Sequence, residues 1–155
     1  DERLMRRSAA PGALTLRLVL PQDLEPALAL WRATSGVGLS DADEPAALRR
    51  YLARNPGCSV AATLGNRLVG TLLAGHDGRR GLVHHLVVAG PDRRQGIARA
   101  MLGRALAALQ RAGIDKCHML AFAHNEAGLA FWRAVGAQSR AELPLLSMPT
   151  SAAQR

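Results

Sequence analysis

The sequence predicts a fold of helices and strands (α/β, with a mixed sheet of the α+β kind). One central mixed sheet is flanked by helices. Strand-like apolar runs and amphipathic helical segments alternate along the chain, and three consecutive strand-like runs near its middle are separated by turn residues. Neither an internal repeat nor a low-complexity linker divides them. The predicted order of elements is β-α-α-β-β-β-α-β-α-β.

The first part of the chain predicts one strand and two helices. Residues 14–20, LTLRLVL, alternate apolar and polar side chains at their start, as a half-buried strand does. Pro21 then opens a helix whose apolar positions recur at helical spacing and which ends near Gly36. Asp43 is the expected N-cap of a second helix, which ends at the Asn-Pro-Gly turn of residues 55–57.

The remaining elements follow from the same kinds of signal. Three strand-like runs are CSVAATL (58–64), NRLVGTLLAG (66–75) and LVHHLVVA (82–89). The Gly65-Asn66 pair and the segment HDGRRG between them have the residues that hairpin turns need. Further along are a long helix over 94–113, a strand KCHMLAFA (116–123), a helix NEAGLAFWRAVG (125–136) and a last strand over LPLLSM (143–148). These segments complete the predicted order.

Length and composition indicate one domain. A chain of 155 residues, 48% apolar and 21% charged, can bury most of the surface that its unfolded form exposes, so we expect a single domain over 1–155. Its core should cover about 14–148, with flexible ends at 1–13 and 149–155. No apolar run approaches the roughly 18 residues of a membrane span, and no apolar stretch follows the N-terminal arginines as in a secretory signal. We therefore expect a cytoplasmic protein that does not contact the membrane.

Cysteine content and charge narrow the classes of function. Cys58 and Cys117 lie far apart and outside any metal-ligand spacing, which argues against a disulfide framework and a zinc site. The net charge of +8 is compatible with an anionic ligand. The two Trp, two Phe and one Tyr are too few for a platform on which nucleic-acid bases stack. Nucleic-acid binding is therefore a distant alternative.

The junction LVVAGPDRRQGIARAML, residues 86–102, has the layout of an anion site. A strand runs into a Pro-Asp turn, a pair of arginines and Gly96, and a helix starts directly afterwards. Amides at the start of a helix are unpaired and lie at its positive end, and a glycine lets an anion approach the backbone closely. The segment has neither the GxGxxG nor the P-loop pattern, so the expected anion is another phosphate compound. The alternative is a plain turn with solvated arginines.

Two segments together carry a resemblance to a known family. HLVVAGPDRRQGIARAML and the later NEAGLAFWRAVGA resemble the two core motifs of the GNAT superfamily of N-acetyltransferases, over about residues 14–148. The fragments GLSDADEPAALRRYLARNPG and GHDGRRG are similar to the YpeA-type subgroup of bacterial acetyltransferases. The resemblance implies the GNAT-like fold, acetyl-CoA as co-substrate, no metal, and an amine as acceptor.

The resemblance also implies which residues hold acetyl-CoA. Those of the loop around the pyrophosphate are Arg93, Arg94, Gln95, Gly96, Ile97 and Ala98, with Arg99 adding charge. Those that offer backbone groups to the pantetheine arm and the acetyl carbonyl are Leu86, Val87 and Val88. Those on the helix after the next strand are Asn125, Phe131 and Trp132. For Phe131, packing in the core is an equal alternative.

Proton transfer involves two departures from the family pattern and two candidate histidines. Trp132 stands where many relatives have a tyrosine acid, and Leu120 stands where some have a glutamate base. His84 and His85 are the catalytic candidates, because imidazole titrates near neutral pH. Strand alternation places them on opposite faces, so that one at most reaches the acceptor, and we prefer His84 narrowly. The alternative for each is a histidine without a proton role.

The acceptor amine stays open at this point. Asp41, Asp43 and Glu44 would suit a cationic amine, although helix capping also explains two of them, and Arg79 and Arg80 would suit a carboxylate. The favoured function is acetyl transfer from acetyl-CoA to a primary amine of a small molecule, peptide or protein. A CoA-binding domain with reduced or no catalysis is the second reading, and a basic nucleic-acid-binding module the third. A homodimer is compatible with each.

Overall fold

A computed structural model of the chain describes residues 12–151 and contains a mixed sheet. Its five strands, which neighbour one another in chain order, are β1 (Leu14–Leu18), β2 (Val60–Leu64), β3 (Arg67–His76), β4 (Gly81–Val88) and β5 (Cys117–Met119). The first four pair antiparallel, and β5 pairs parallel with β4. The predicted fold class is confirmed.

The helices follow the predicted pattern with shifted ends. They are α1 (Leu24–Arg32), α2 (Pro45–Arg54), α3 (Ile97–Arg111) and α4 (Glu126–Ala134), with short 3-10 helices at Pro21–Asp23, Asp41–Asp43 and Gly90–Asp92. The predicted N-cap of α2 is wrong by one residue, because Glu44 caps it and Asp43 ends the preceding 3-10 helix. A residue that precedes proline is pushed into extended backbone, and Glu44, before Pro45, has φ −62° and ψ 143°.

The helices α1 and α3 cover opposite faces of the sheet. On β3, a Cβ added to Gly70 would come within 2.9 Å of Met101, which lies on α3. The next residue, Thr71, points the other way and accepts a hydrogen bond from the indole of Trp31 on α1 at 2.8 Å. Trp31 is almost fully buried and packs in a cluster with Leu73 and Val87. The face that α1 covers therefore carries side chains of both β3 and β4.

The chain packs as two compact units, of which the first ends at Phe122 and the second begins at Ala123. The sheet and α1 to α3 belong to the first unit, and α4 belongs to the second. A single domain over 1–155 stays a prediction. Within residues 12–151, no helix has both the length and the apolar character of a membrane span. No group of His, Cys, Asp and Glu in that range is placed to hold a metal ion.

The expectation of a last strand over residues 143–148 is wrong. These residues form no strand in the structure, and their large apolar side chains are exposed: Leu143, Leu145, Leu146 and Met148. Pro144 has no N–H to donate, which disfavours pairing in the middle of this segment. The predicted strand over 116–123 is likewise reduced to the three residues of β5.

Candidate functional site

The loop between β4 and α3 has a defined left-handed shape. Arg94 has φ 64° and Gly96 has φ 77°, both in the region that favours glycine. Asp92, just before the loop, is buried and pairs with Arg67 of β3 at 3.0 Å. The side chain of Arg93 turns back and donates from Nε to the carbonyl of Val88 at 3.0 Å. The start of the loop is thus anchored to β3 and to β4.

The backbone amides at the end of this loop have no hydrogen-bond partner in the part of the chain that the structure describes. From Arg94 to Arg99, no backbone N–H makes a hydrogen bond to any described residue, and the first bond of α3 is from Ala100 to the carbonyl of Gly96 at 3.1 Å. A Cβ added to Gly96 would meet nothing within 4 Å. We call this run of free amides, residues 94–99, the amide cradle. Its donors lie at the positive end of a 15-residue helix, an arrangement that favours a phosphate-type anion.

The side chains of the cradle divide between core and solvent. Ile97 is buried, with 2% of its surface exposed, so this predicted cofactor residue can offer its amide but not its side chain. Ala98 is half-buried, which fits a position where the chain must stay close to a ligand. The exposed side chains next to the amides are Arg94, Gln95 and Arg99. The guanidinium groups add positive charge where the free amides already attract an anion.

Strand β4 is open along one edge beyond its first residues. It pairs with β5 only from Gly81 to Val83, whereas its pairing with β3 continues to Val88. Within the described part of the chain, no strand covers the β5-facing edge over residues 84–88. Val87 and Val88 are buried by their side chains, and Leu86 is half-buried. Backbone groups of this segment are therefore available to an extended ligand that lies along the edge.

A β-bulge interrupts β4 at the two histidines. Leu73 faces His84 and Thr71 faces Val87, so that one residue of β3 lies opposite two of β4, and His85 has φ 49°. The rings of His84 and His85 are only 6.4 Å apart, and both contact the helices on the α1 side: His84 lies by Tyr51 of α2, and His85 by Trp31 of α1. The expectation of opposite faces is wrong, because the extra residue resets the alternation.

His85 is held by contacts on its ring and its backbone. Its Nε2 lies 2.6 Å from Oδ1 of Asp43, and the two side chains are 15% and 10% exposed. Its ring centroid lies 4.5 Å from that of Trp31. The hydroxyl of Thr71 donates to the carbonyl of His85 at 3.0 Å. The contact with Asp43 was not predicted, because it joins residues 42 positions apart and the sequence explained Asp43 by capping.

His84 lies in a more apolar setting. Its ring meets the edge of Tyr51 with centroids 6.2 Å apart. Burial lowers the pKa of His84, the neighbouring His85 lowers it further, and Asp43 acts in the opposite direction. Burial likewise raises the pKa of Tyr51, whose buried hydroxyl has no hydrogen-bond partner among the described residues. His84 is therefore neutral near pH 7, and Tyr51 keeps its proton.

A cleft opens next to Asp43. Its volume is about 240 Å³, and it is lined by Leu28, Arg32, Leu39, Ser40, Asp43, Glu44 and Pro45. Glu44 and Arg32 are exposed there, and neither forms an ion pair with a described residue. Of the arginines considered for a carboxylate, Arg80 pairs with Asp115 at 2.9 Å. The cleft thus offers both an acidic and a basic group on an apolar floor, beside the residue that contacts His85.

The second unit contains the other predicted cofactor residues. Asn125 caps α4, its Oδ1 accepting the N–H of Gly128 at 3.1 Å. Phe131 and Trp132 are half-buried and meet edge to face, with centroids 5.3 Å apart. Capping uses the side-chain oxygen of Asn125, and its side-chain NH₂ group stays available. The roles of these three residues toward acetyl-CoA stay predictions.

Comparison with known proteins shows which sequences this chain resembles. A sequence model described as the acetyltransferase (GNAT) family matches residues 24–137. "Acetyltransferase ECA0875" of Pectobacterium atrosepticum is 26% identical over 119 residues, which cover 77% of this chain and 84% of that protein. "Acetyltransferase plu1384" of Photorhabdus laumondii is 27% identical over 114 residues, covering 74% and 79%.

Solved structures show the same fold at lower identity. An acetyltransferase of Clostridium acetobutylicum, solved with acetyl-CoA, superposes with a TM-score of 0.70 at 16% identity over 87% of this chain and 96% of the other. The PaiA N-acetyltransferase of Thermoplasma acidophilum, solved with coenzyme A, gives 0.69 at 16% identity over 80% and 89%. An aminoglycoside acetyltransferase from a soil metagenome, solved with sisomicin, gives 0.67 at 17% identity over 88% and 95%.

Proposed function

Because the chain belongs to the GNAT family of acetyltransferases and is an acetyl-CoA-dependent N-acetyltransferase, we propose that the amide cradle holds the pyrophosphate of acetyl-CoA and that His85 takes the proton of the acceptor amine. The observation that carries the proposal is the run of free amides from Arg94 to Arg99 at the start of α3. These donors fit a pyrophosphate, which presents several oxygens and no donors.

The open edge of β4 is the proposed place of the pantetheine arm. Acetyl-CoA supplies an activated acetyl group, whose C–S bond breaks as a C–N bond to the amine forms. Leu86 and the N–H of Val88 offer main-chain groups to this arm, whereas the carbonyl of Val88 is occupied by Arg93 and the main chain of Val87 pairs with Thr71 of β3. A backbone N–H of this segment stabilises negative charge on the acetyl oxygen, as in other oxyanion holes. Asn125, Phe131 and Trp132 complete the proposal on the strength of the sequence resemblance.

The acceptor amine needs a base before it can attack. An amine with a pKa of about 10.4 costs about 4.6 kcal/mol to deprotonate at pH 7. We assign this step to His85 rather than His84, because His85 lies at the bulge, and its partner Asp43 lines the cleft between α1 and the 3-10 helix. That cleft is the proposed entrance for the acceptor. His84 packs instead against Tyr51 and makes no hydrogen bond to a carboxylate of the described residues.

The acceptor is proposed to be a primary amine of a small molecule or peptide. Asp43 and Glu44 on the cleft favour a cationic group, and Arg32 tolerates a carboxylate on the same ligand. We place the reaction in a bacterial cytoplasm, since the curated relatives are bacterial and both cysteines are free thiols.

A panel of amines tests the assignment, with release of free CoA from acetyl-CoA as the readout. The panel contains sisomicin, L-lysine, putrescine and a peptide that begins with alanine. His85→Gln should lower kcat/KM by about 10² to 10⁴ with acetyl-CoA affinity nearly unchanged. His84→Gln is the matched control and should keep most of the rate. A large loss in His84→Gln alone would move the base to His84, and no loss in either variant would refute a histidine base.

A further inference from the structure

We propose that Asp43 is a positioning residue, which fixes the tautomer of His85 so that Nδ1 carries the lone pair that accepts the proton. The inference rests on the proposed role of His85 and adds a second residue to the reaction. It starts from the contact between Nε2 of His85 and Oδ1 of Asp43 at 2.6 Å. An ionised carboxylate only accepts hydrogen bonds, and a neutral imidazole has a single N–H. In this contact the proton of neutral His85 therefore lies on Nε2.

The carboxylate of Asp43 is itself held in place. Its other oxygen, Oδ2, accepts the amide N–H of Ser40 at 2.9 Å, within the 3-10 helix that precedes α2. Oδ2 of Asp43 thus serves in helix capping, and Oδ1 makes the contact with His85. With side chains 15% and 10% exposed, the pair is largely shielded from water, which strengthens the interaction between them.

His85 has further contacts on its ring and its backbone. The ring of Trp31 lies against it, and the indole of Trp31 donates to Thr71, whose hydroxyl donates to the carbonyl of His85. The ring can therefore present Nδ1 in one direction only. Within the described residues, Nδ1 has no hydrogen-bond partner.

The proton balance follows from this arrangement. The amine nitrogen loses its proton to Nδ1 of His85, Nε2 keeps its own, and Asp43 stays ionised throughout. The resulting imidazolium is stabilised by the adjacent carboxylate, and it later releases the proton to solvent. The titratable groups that face His85 are Asp43 from the 3-10 helix and His84 from β4. Trp31 and Thr71 complete its surroundings without titrating.

The substitution Asp43→Asn reverses the tautomer without removing the contacts. The amide oxygen of asparagine can still accept the N–H of Ser40, while its NH₂ group can only donate to His85. The lone pair is then required on Nε2, and the proton moves to Nδ1. Nitrogen-15 NMR of the unliganded protein, recorded at a pH at which the ring carries a single N–H, should show Nε2–H in the wild type and Nδ1–H in Asp43→Asn. With the most active amine of the panel, kcat/KM should fall by at least about tenfold and up to about 10⁴-fold.

Asp41→Asn is the matched control, since it removes the same charge from the same 3-10 helix. The side chain of Asp41 is exposed and makes no hydrogen bond to a described residue. This variant should leave the tautomer of His85 as in the wild type, and its kcat/KM gives the effect of losing one negative charge from this helix. Asp43→Glu restores a carboxylate and should recover the Nε2–H signal.

The outcomes separate this inference from the proposed function. A wild type with Nδ1–H on His85 overturns the role of Asp43, even if Asp43→Asn does not fold. The role is also overturned if Asp43→Asn changes the tautomer but has the rate of Asp41→Asn. If His85→Gln retains full activity, the assignment of His85 as base fails, and the NMR result still shows whether Asp43 fixes its tautomer.

Discussion

Gly96 is the position at which the amide cradle can be tested most directly. Gly96→Glu places a carboxylate among the free amides of residues 94–99, where the pyrophosphate is proposed to bind. Since nothing lies within 4 Å of an added Cβ, the side chain has room in the unliganded protein. The variant should therefore fold and should lose its affinity for acetyl-CoA.

Two free energies set the expected result: the cost of a side chain at residue 96 and the stabilisation by acetyl-CoA. At φ 77° a side chain costs about 1 to 2 kcal/mol of backbone strain, and an anion at the start of a helix returns about 0.3 to 1 kcal/mol. The net loss of stability is thus small. In the wild type, acetyl-CoA at a hundredfold excess over its Kd should stabilise the fold by about 2.7 kcal/mol. For a protein of this size that amounts to a rise in Tm of about 5 to 10 °C.

Thermal unfolding with and without millimolar acetyl-CoA is the assay, and Gly96→Gln is the control. Gln has the length and the backbone strain of Glu but no charge, so Gly96→Gln should keep part of the shift and Gly96→Glu should show none. A shift in Gly96→Glu as large as in the wild type would mean that the pyrophosphate binds elsewhere. If both variants lose the shift equally, side-chain size and not charge governs the cradle.

Two further predictions concern His84 and Trp132. Because burial lowers the pKa of His84, the unfolded chain takes up its proton at a higher pH than the native protein does. This difference contributes its full stability above the unfolded pKa of about 6.5, and the contribution is lost as the pH falls through the native pKa. His84→Gln lacks the contribution. In urea unfolding, its free energy of unfolding should therefore fall less than that of the wild type between pH 7 and 5. An equal or steeper loss in the variant would contradict this. In calorimetry, Trp132→Ala should weaken acetyl-CoA binding by about tenfold or more. Trp132→Phe keeps an aromatic surface and should bind acetyl-CoA nearly as the wild type does. Equal losses of affinity in the two variants would refute a packing role for Trp132.

Most of the fold and the cradle could be predicted because both depend on local signals. Helical spacing placed a helix over 94–113, and α3 covers Ile97–Arg111. The glycine that opens it also marks the free amides, since a helix start always leaves its first N–H groups unpaired. The last strand was mispredicted because the apolar run at 143–148 has strand composition, and composition does not show whether a neighbour pairs with it. Pro144 was the available counter-signal.

The contact between His85 and Asp43 could not be predicted from the same rules. The alternation of side chains along a strand assumes that every residue of β4 has one partner on β3. The bulge at His85 breaks that assumption, and no glycine at this position signals the bulge in the sequence. The contact with Asp43 depends on the bulge, because one extra residue moves His85 to the face that already carries His84. Without the bulge, His85 would face α3, where the carboxylate of Asp43 does not reach. The departure from regular strand pairing therefore brings His85 and Asp43, the proposed base and its proposed positioning residue, together, and it lies where β4 is no longer paired with β5.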